Sequence, residues 1–297
     1  MESLKKCPLC KSGLFLNHRE IRDHAVSKEV FMLCKCTNCG LLFTNPRPSE
    51  QEIKPYYDFP EYYSHSDEKN DLISRVYQKV KKITIGRKLK LLNSLKQEGN
   101  LLDYGCGTGE LILAAQSQGW KVKGVEINDK ARSIANEKSN GQVEKSIDDL
   151  EKKKKFDIIT LYHVLEHIHE LRKTVKKIIN SLRSGGYMII AVPNINSLDA
   201  KKYDEFWAAW DVPRHLYHFE NQTIHQFTEV FNLELIETQP MNFDSYYVSL
   251  LSEGYKNADQ TKLRRYINAA KTGYISNKKA SMKDQEYSSN LYIFQKK

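Results

Sequence analysis

The chain has 297 residues, of which 40% are hydrophobic, and a formal net charge of +9. This length can hold one large or two modest domains, each with a hydrophobic core. No stretch approaches the roughly 18 apolar residues of a membrane span, and the N-terminus does not read as a signal peptide, so we expect a cytoplasmic protein. The basic residues are scattered along the chain instead of forming one cluster. The positive net charge is therefore better explained by a generally lysine-rich composition than by a nucleic-acid-binding surface.

Two CxxC pairs stand near the N-terminus. Their members are Cys7, Cys10, Cys36 and Cys39. In a cytosolic chain, two matching pairs indicate a metal site rather than disulfides, and the second pair argues against a redox CxxC. Four thiolates suit tetrahedral zinc and leave no open coordination position, so we predict a structural zinc ribbon over residues 1–46. Strands are expected at 30–33 and 41–44, and Cys34 is a spare thiol.

Residues 47–99 are predicted to form an aromatic lid segment followed by a helical linker. Tyr62 and Tyr63 suit a lid over a bound ligand, although tyrosine clusters also pack between domains. The helical pattern runs from 72 to 97, with an interruption expected near Gly86.

A short apolar strand at 100–104 leads into glycines at every second position. These are Gly105, Gly107 and Gly109. Such glycines let the backbone approach a ligand closely, and the helix that follows offers free N–H groups. A dinucleotide site would place its third glycine at Glu110, whose carboxylate would repel a phosphate. Asp103, at the strand tip, suits a cationic amino-acid group. The pattern therefore favours S-adenosylmethionine, which has no phosphate and carries a free ammonium.

The next strand is predicted at 122–127. Glu126 stands near its tip, about 20 residues past the glycine turn, where doubly wound sheets place an acceptor for ribose hydroxyls. A helix is expected to begin at Asp129.

Strands and helices continue to alternate, which implies a parallel sheet with helices on both faces. Further strands are predicted at 142–146, 156–162, 187–192, 233–240 and 290–294. The helix at 171–183 is expected to be capped by Gly185 and Gly186. Residues 272–289 read as a polar excursion, and the sequence assigns no role to 242–289.

With these features the chain resembles the class I S-adenosylmethionine-dependent methyltransferases over residues 85–297. The resemblance rests on LDYGCGTG, on GVEIN, and on FDII running into YHVLEHI. It implies an α/β fold, a Rossmann-like doubly wound sheet of seven strands with the last one antiparallel, over residues 100–297. It also implies a cofactor-binding set. In that set Asp103 holds the methionine ammonium, Glu126 grips the ribose, Ile127 and Ile147 enclose the adenine, and the turn glycines and Tyr162 complete the site.

The resemblance extends to the acceptor side. Residues 207–219 look like the corresponding segment of methyltransferases that act on deoxysugars and other small metabolites, where a histidine is the base. This implies His215 as general base. Arg214 is expected either to bind a substrate phosphate or carboxylate or to form a salt bridge to Asp211 or Glu166. His163 is the second candidate base, or a structural histidine. Trp210 stacks on the substrate or packs between domains.

These features predict an S-adenosylmethionine-dependent methyltransferase that acts on a small molecule. A sugar, a sugar nucleotide or a related bacterial metabolite fits, with general-base-assisted in-line transfer. The second interpretation is a methyltransferase of ribosomal RNA bases. The third is a non-catalytic binding protein on the same fold, which the intact Asp103 and Glu126 disfavour. The expected cofactors are S-adenosylmethionine and structural zinc, and the oligomeric state stays open.

Overall fold

The computed structural model describes residues 1–57, 72–150, 155–282 and 285–297. The strands of this part of the chain form one sheet of four strands and one of seven. The predicted lid residues Tyr62 and Tyr63 lie outside the described residues.

The small sheet is built mostly by the N-terminal segment. Its strands β1 (Phe15–Arg22), β2 (Val30–Cys36) and β3 (Leu42–Thr44) are antiparallel. A fourth strand, β9 (Tyr217–His218), comes from much later in the chain and pairs with β3. The sequence predicted β2 and β3 but not β1, because most β1 side chains are polar and exposed and show no apolar alternation.

Seven strands form the large sheet. In chain order they are β4 (Asn100–Tyr104), β5 (Lys121–Val125), β6 (Val143–Glu144), β7 (Phe156–Tyr162), β8 (Leu182–Pro193), β10 (Leu233–Pro240) and β11 (Ser289–Lys296). Their spatial order is β10-β11-β8-β7-β4-β5-β6. Strand β11 is antiparallel to β10 and β8, and the other pairs are parallel. The predicted Rossmann-like sheet with an antiparallel last strand is confirmed.

The α-helices of the described residues flank and extend this sheet. They are α1 (Leu72–Leu95), α2 (Glu110–Gln116), α3 (Asp129–Ser139), α4 (Leu171–Ser181), α5 (Leu198–Tyr203), α6 (Asn221–Phe231), α7 (Asp244–Lys256) and α8 (Lys262–Met282). None of the described helices is long and apolar enough to cross a membrane.

Two predicted helix boundaries were wrong. Helix α1 continues through Gly86, because a single glycine weakens a helix without ending it and Leu89 and Leu92 anchor the next turn in the core. Gly185 and Gly186 do not cap α4, which already ends at Ser181; they lie within β8. Gly185 has a φ of +70° at the place where the register between β7 and β8 shifts, so the glycines form an irregularity in the strand.

Helices α7 and α8 form a hairpin between β10 and β11, in the region 242–289 to which the sequence assigned no role. The second half of α8 falls in the polar excursion predicted at 272–289. The interface between the two helices explains the error, because it contains small and hydroxyl-bearing residues instead of leucines. Ser245 Oγ donates to the backbone oxygen of Gly273 over 3.2 Å, and a Cβ on Gly273 would lie 2.7 Å from the Tyr246 ring. Ser249, Ser252, Thr272 and Ser276 are buried in the same region.

Candidate active site

A carboxylate stands near the carboxyl end of the central strand β4. Asp103 is buried, and its Oδ1 accepts a hydrogen bond of 2.6 Å from Oγ1 of Thr160 in the neighbouring strand β7. Burial raises the pKa of Asp103, while the hydrogen bond from Thr160 and the charge of Lys88 oppose that rise. The hydrogen bond from β7 fixes the direction of the carboxylate.

The glycines of the turn after β4 serve two purposes, close packing against neighbouring elements and an open space beside the backbone. Gly105 has a φ of +76°, and a Cβ there would lie 2.3 Å from Val164, so this glycine allows the turn after β7 to pack closely. Gly107 has a φ of +56°, and no atom lies within 4 Å of the position that its Cβ would take. Gly109 precedes α2 and packs on Ala135 of α3. Of the three, Gly107 therefore borders open space.

Glu126 follows β5 and is held by the backbone. Its Oε2 accepts a hydrogen bond of 2.8 Å from the N–H of Gly107, and its Oε1 accepts one of 2.8 Å from the N–H of Asn128. Because β4 and β5 are parallel neighbours, the structure brings Asp103 and Glu126 to the same edge of the sheet. Each carboxylate oxygen keeps a further lone pair for a ligand.

The two isoleucines predicted to enclose an adenine differ in exposure. Ile127 is 69% exposed beside Glu126, whereas Ile147 is buried in the short helical turn Ile147–Asp149. Ser146 caps that turn, because its Oγ accepts a hydrogen bond from the N–H of Asp148.

Tyr162 ends β7 beneath a lysine of α1. The Nζ of Lys88 lies 3.5 Å from the centre of the Tyr162 ring, and the tyrosine hydroxyl is buried without a hydrogen-bond partner among the described residues. Desolvation lowers the pKa of Lys88, and the charges of Asp103, Asp244 and Glu110 oppose this effect.

A cavity of about 320 Å³ lies between α1 and the segment that joins β10 to α7. Tyr162 lines it on the side of the sheet. The charged side chains in its lining are Arg87, Lys88, Lys90 and Asp244. The volume is that of a small-molecule pocket, and the excess of basic groups favours an anionic ligand.

His163 stands between two carboxylates just after β7. Its Nε2 lies 2.9 Å from Oδ2 of Asp244, and its Nδ1 lies 3.5 Å from Oε1 of Glu166. Desolvation by itself would lower the pKa of His163, but the two carboxylates raise it to about 10. This favours an imidazolium at neutral pH, whereas the base role predicted from the sequence requires a neutral ring.

His215 lies in a cluster with His167 and Glu166. The Nδ1 atom of His215 is 2.9 Å from the backbone oxygen of Ala209, and that of His167 is 2.9 Å from the backbone oxygen of Arg214. The Nε2 of His215 lies 4.0 Å from Oε1 of Glu166. Neither His215 nor His163 lines the cavity, and the base role of His215 stays a prediction.

Arg214, predicted to bind substrate, is buried among protein groups. Its guanidinium donates to the carboxylates of Asp211 and Asp23 and to the backbone oxygen of Tyr56. Burial alone would lower the pKa of Arg214, but the two carboxylates raise it. The contact with Asp211 is the salt bridge that the sequence left open as the alternative.

Trp210 is buried rather than exposed on a pocket wall. Its ring meets the rings of Trp207 and His218 edge-on, and its Nε1 donates to the backbone oxygen of Asp204 over 2.7 Å. These contacts correspond to the packing role; stacking on a substrate stays a prediction.

The four cysteines of the CxxC pairs lie together. The Sγ atoms of Cys7 and Cys39 are 3.5 Å apart, those of Cys10 and Cys36 are 3.6 Å apart, and all four lie within 4.8 Å of one another. Cys34 lies outside this cluster, and burial raises its pKa.

The methyltransferase domain family matches residues 78–238, more than half of the 297 residues. The chain belongs to this family. Its fold is that of the class I S-adenosylmethionine-dependent methyltransferases, so the resemblance stated from its motifs is confirmed.

The relatives of this methyltransferase act on different acceptors, to judge by their names. It is 27% identical over 107 residues to the ubiquinone biosynthesis O-methyltransferase of Nitrosomonas europaea, an alignment that covers 33% of this chain and 46% of the relative. It is 32% identical over 96 residues to the 23S rRNA (uracil(1939)-C(5))-methyltransferase of Cupriavidus necator, covering 32% and 21%. The chain spans about half the length of the first curated relatives that it matches.

A solved structure supports the fold of the methyltransferase. The magnesium protoporphyrin IX methyltransferase of Synechocystis PCC 6803 with bound SAH is similar, with a TM-score of 0.54 and 14% sequence identity. The similarity covers 84% of this chain and 100% of that one.

Several side chains of the methyltransferase site were not predicted. Lys88 and Thr160 lie in predicted elements, but a pattern of apolar residues does not say that Thr160 bonds Asp103 or that Lys88 lies over the ring of Tyr162. Asp244 begins a helix in the region to which the sequence assigned no role. Glu166 was considered only as a partner of Arg214, and the structure separates these two by placing Glu166 beside the histidines.

Proposed function

We propose that this methyltransferase transfers a methyl group to an anionic small molecule, such as a sugar nucleotide or a related bacterial metabolite. The observation that carries the proposal is the cavity of about 320 Å³ beside Tyr162, lined by Arg87, Lys88 and Lys90. A pocket of this size suits a small ligand, and its basic lining suits phosphate or carboxylate groups.

The residues around the glycine turn fit S-adenosylmethionine, which supplies an activated methyl group when bound. Gly107 borders open space in which no atom would meet a Cβ, so a ligand can lie against this backbone. We assign Asp103 to the methionine ammonium and Glu126 to the ribose hydroxyls, because both carboxylates are already oriented by protein donors. Ile127 is exposed beside Glu126 and, with Ile147, is assigned to the adenine.

On the acceptor side, Asp244 is the acidic residue that lines the cavity. His163 lies 2.9 Å from its Oδ2 and is well placed to orient the carboxylate. A carboxylate held in this way can take the proton of an acceptor hydroxyl as the methyl group is transferred in line. We therefore assign the base role to Asp244 in place of His215 and His163, which do not line the cavity, and make His163 a positioning residue.

We also propose that Cys7, Cys10, Cys36 and Cys39 bind a structural zinc ion. Zinc–sulfur bonds of about 2.3 Å place the sulfurs of a tetrahedral site about 3.8 Å apart. The Sγ distances of 3.5 and 3.6 Å are close to that value. Four protein ligands leave no position for substrate, so the ion would stabilise the small sheet.

The acceptor class can be tested with S-adenosylmethionine labelled in its methyl group and a bacterial extract separated into RNA, protein, lipid and small-molecule pools. We expect the label in small molecules that bind an anion exchanger. Label in the RNA pool would replace this proposal by the RNA methyltransferase interpretation.

Asp244→Asn should reduce transfer about 100-fold or more while adenosylhomocysteine binding is unchanged. Undiminished transfer by this variant would show that Asp244 is not the base.

A further inference from the structure

We propose a second metal site in which the side chains of Glu166, His167 and His215 bind a divalent transition-metal ion of the zinc class. The three side chains each offer one ligand atom, and these atoms lie within 4.8 Å of one another. The site is separate from the cysteine cluster. It joins the turn after β7 to the segment that leads into β9.

The first observation is the state of Glu166. Its side chain is 0% exposed, and neither carboxylate oxygen has a hydrogen-bond partner in the part of the chain that is described. The nearest positively chargeable groups are His163, at 3.5 Å, and His215, at 4.0 Å. A carboxylate removed from water needs donors or a cation. His163 supplies a positive charge on the side of Oε1, whereas Oε2 has neither a donor nor a cation among the described residues.

The second observation is the orientation of the two imidazoles. Nδ1 of His167 and Nδ1 of His215 each lie 2.9 Å from a backbone carbonyl oxygen, which can only accept a hydrogen bond. Nδ1 of His167 also lies 2.9 Å from the hydroxyl of Tyr57, which can accept from the same N–H. In a neutral ring the proton is therefore on Nδ1, and the lone pair is on Nε2. A backbone carbonyl that holds the other ring nitrogen is the usual support of a metal-binding histidine.

The third observation is the match of ligand type and spacing. Two imidazoles and a carboxylate form a ligand set that zinc and similar ions favour. With bonds of about 2.0–2.2 Å, two ligand atoms that share one ion lie at most about 4.4 Å apart. The 4.0 Å between His215 Nε2 and Glu166 Oε1 meets this limit, and small side-chain rotations would bring in the third ligand. Asp211 is also close, 3.9 Å from His215, but it already accepts hydrogen bonds from Arg214.

An ion at this site would act on the acceptor cavity through the protein. Glu166 also faces His163, and His163 in turn faces Asp244 at the cavity. By holding Glu166, the ion would keep this row of charged groups in place. Three protein ligands would leave one coordination position for water.

The test is a cobalt(II) titration of the metal-stripped 297-residue chain, monitored through its absorption spectrum. Cobalt bound to the cysteines gives intense thiolate-to-metal charge-transfer bands, whereas cobalt bound to imidazole and carboxylate gives only weaker d–d bands. We expect a saturable component of about one equivalent without thiolate absorption. A titration that shows thiolate-bound cobalt alone, or no saturable binding, overturns the proposal. The wild-type titration decides this point without any variant.

Variants then test the assigned ligands. His215→Ala and Glu166→Gln should each remove the component without thiolate absorption and leave the thiolate bands. The matched control is His169→Ala, which changes a neighbouring histidine that instead contacts the backbone oxygen of Pro48; it should keep both components. Retention of the component by both His215→Ala and Glu166→Gln would overturn the ligand assignment.

Discussion

Glu126 shows how a single residue defines the donor side. Its two oxygens accept hydrogen bonds from the backbone N–H groups of Gly107 and Asn128, so the carboxylate connects the glycine turn to the end of β5. The side chain is thereby oriented before any ligand binds, and binding need not spend conformational entropy on it.

We expect Glu126→Ala to abolish the stabilisation of the protein by adenosylhomocysteine. A ligand present at 100 times its dissociation constant adds about 2.7 kcal/mol to the free energy of unfolding, which is easily seen as a rise in Tm. Differential scanning fluorimetry with and without adenosylhomocysteine measures this rise.

The control is Glu144→Ala, which removes a carboxylate from the end of the neighbouring strand β6. It should keep the full rise in Tm. An undiminished rise in the Glu126→Ala variant would remove Glu126 from the donor site.

At the scale of elements, Asp157 connects two strands of the central sheet. It lies in β7, and its carboxylate accepts hydrogen bonds from the backbone N–H of Asn100 at the start of β4 and from Lys96 and Arg183. Burial opposes its ionisation, but the N–H of Asn100 and the charge of Lys96 lower the pKa of Asp157.

Because the folded-state pKa of Asp157 is lowered, its contribution is complete above the unfolded carboxyl pKa of about 3.9 and is lost as the pH falls through the folded pKa. Asp157→Asn should therefore lower the free energy of unfolding at pH 7 by about 2 kcal/mol. The difference from the wild type should shrink below about pH 4. Urea unfolding at a series of pH values measures this difference; a gap that does not change with pH would contradict the assignment.

The cysteine cluster is expected to stabilise the small sheet. Strand β1 has one buried side chain, whereas β2 and β3 together have seven. The cysteine cluster joins the segment before β1 to the turn between β2 and β3, so we expect a bound metal ion to add to the stability of this sheet. Cys39→Ser should increase hydrogen exchange in these strands while β4 to β8 stay protected. Cys34→Ala, which changes the thiol outside the cluster, should leave the exchange of the small sheet close to that of the wild type.

At the scale of the whole molecule, Arg214 connects three parts of the chain. Its guanidinium bonds Asp211 in its own segment, Asp23 just after β1, and the backbone of Tyr56 ahead of α1. Pairing of β9 with β3 adds a second connection between the same segment and the small sheet. Through these connections the small sheet lies beside the cluster formed by Glu166, His167 and His215.

Arg214→Met should lower the free energy of unfolding by about 3–5 kcal/mol, because it leaves two carboxylates without their cation. Denaturant unfolding gives the value. Arg183→Met is the control, since Arg183 is 48% exposed and a pair of that kind contributes about 1 kcal/mol or less. Equal losses in the two variants would contradict the structural role of Arg214.

The sequence by itself determined the features that depend on local patterns. The bounds of β4, β7 and β10 agree with the prediction, because apolar runs and flanking turns define strands locally. The glycine turn and the CxxC pairs indicated a donor site and a cysteine cluster because the required chemistry depends on short, fixed spacings.

Only the tertiary structure decided the features made by residues far apart in the chain. The pairing of β9 with β3 and the meeting of Glu166 with His215 leave no periodic signal in either segment. The α7–α8 hairpin buries serine, threonine and glycine, so no apolar stripe marked it. The position of Lys88 over the ring of Tyr162 likewise follows from how α1 packs. In each case the interaction becomes favourable only when folding removes water and brings distant polar groups together. The pattern of neighbouring residues in the sequence carries no information about those contacts.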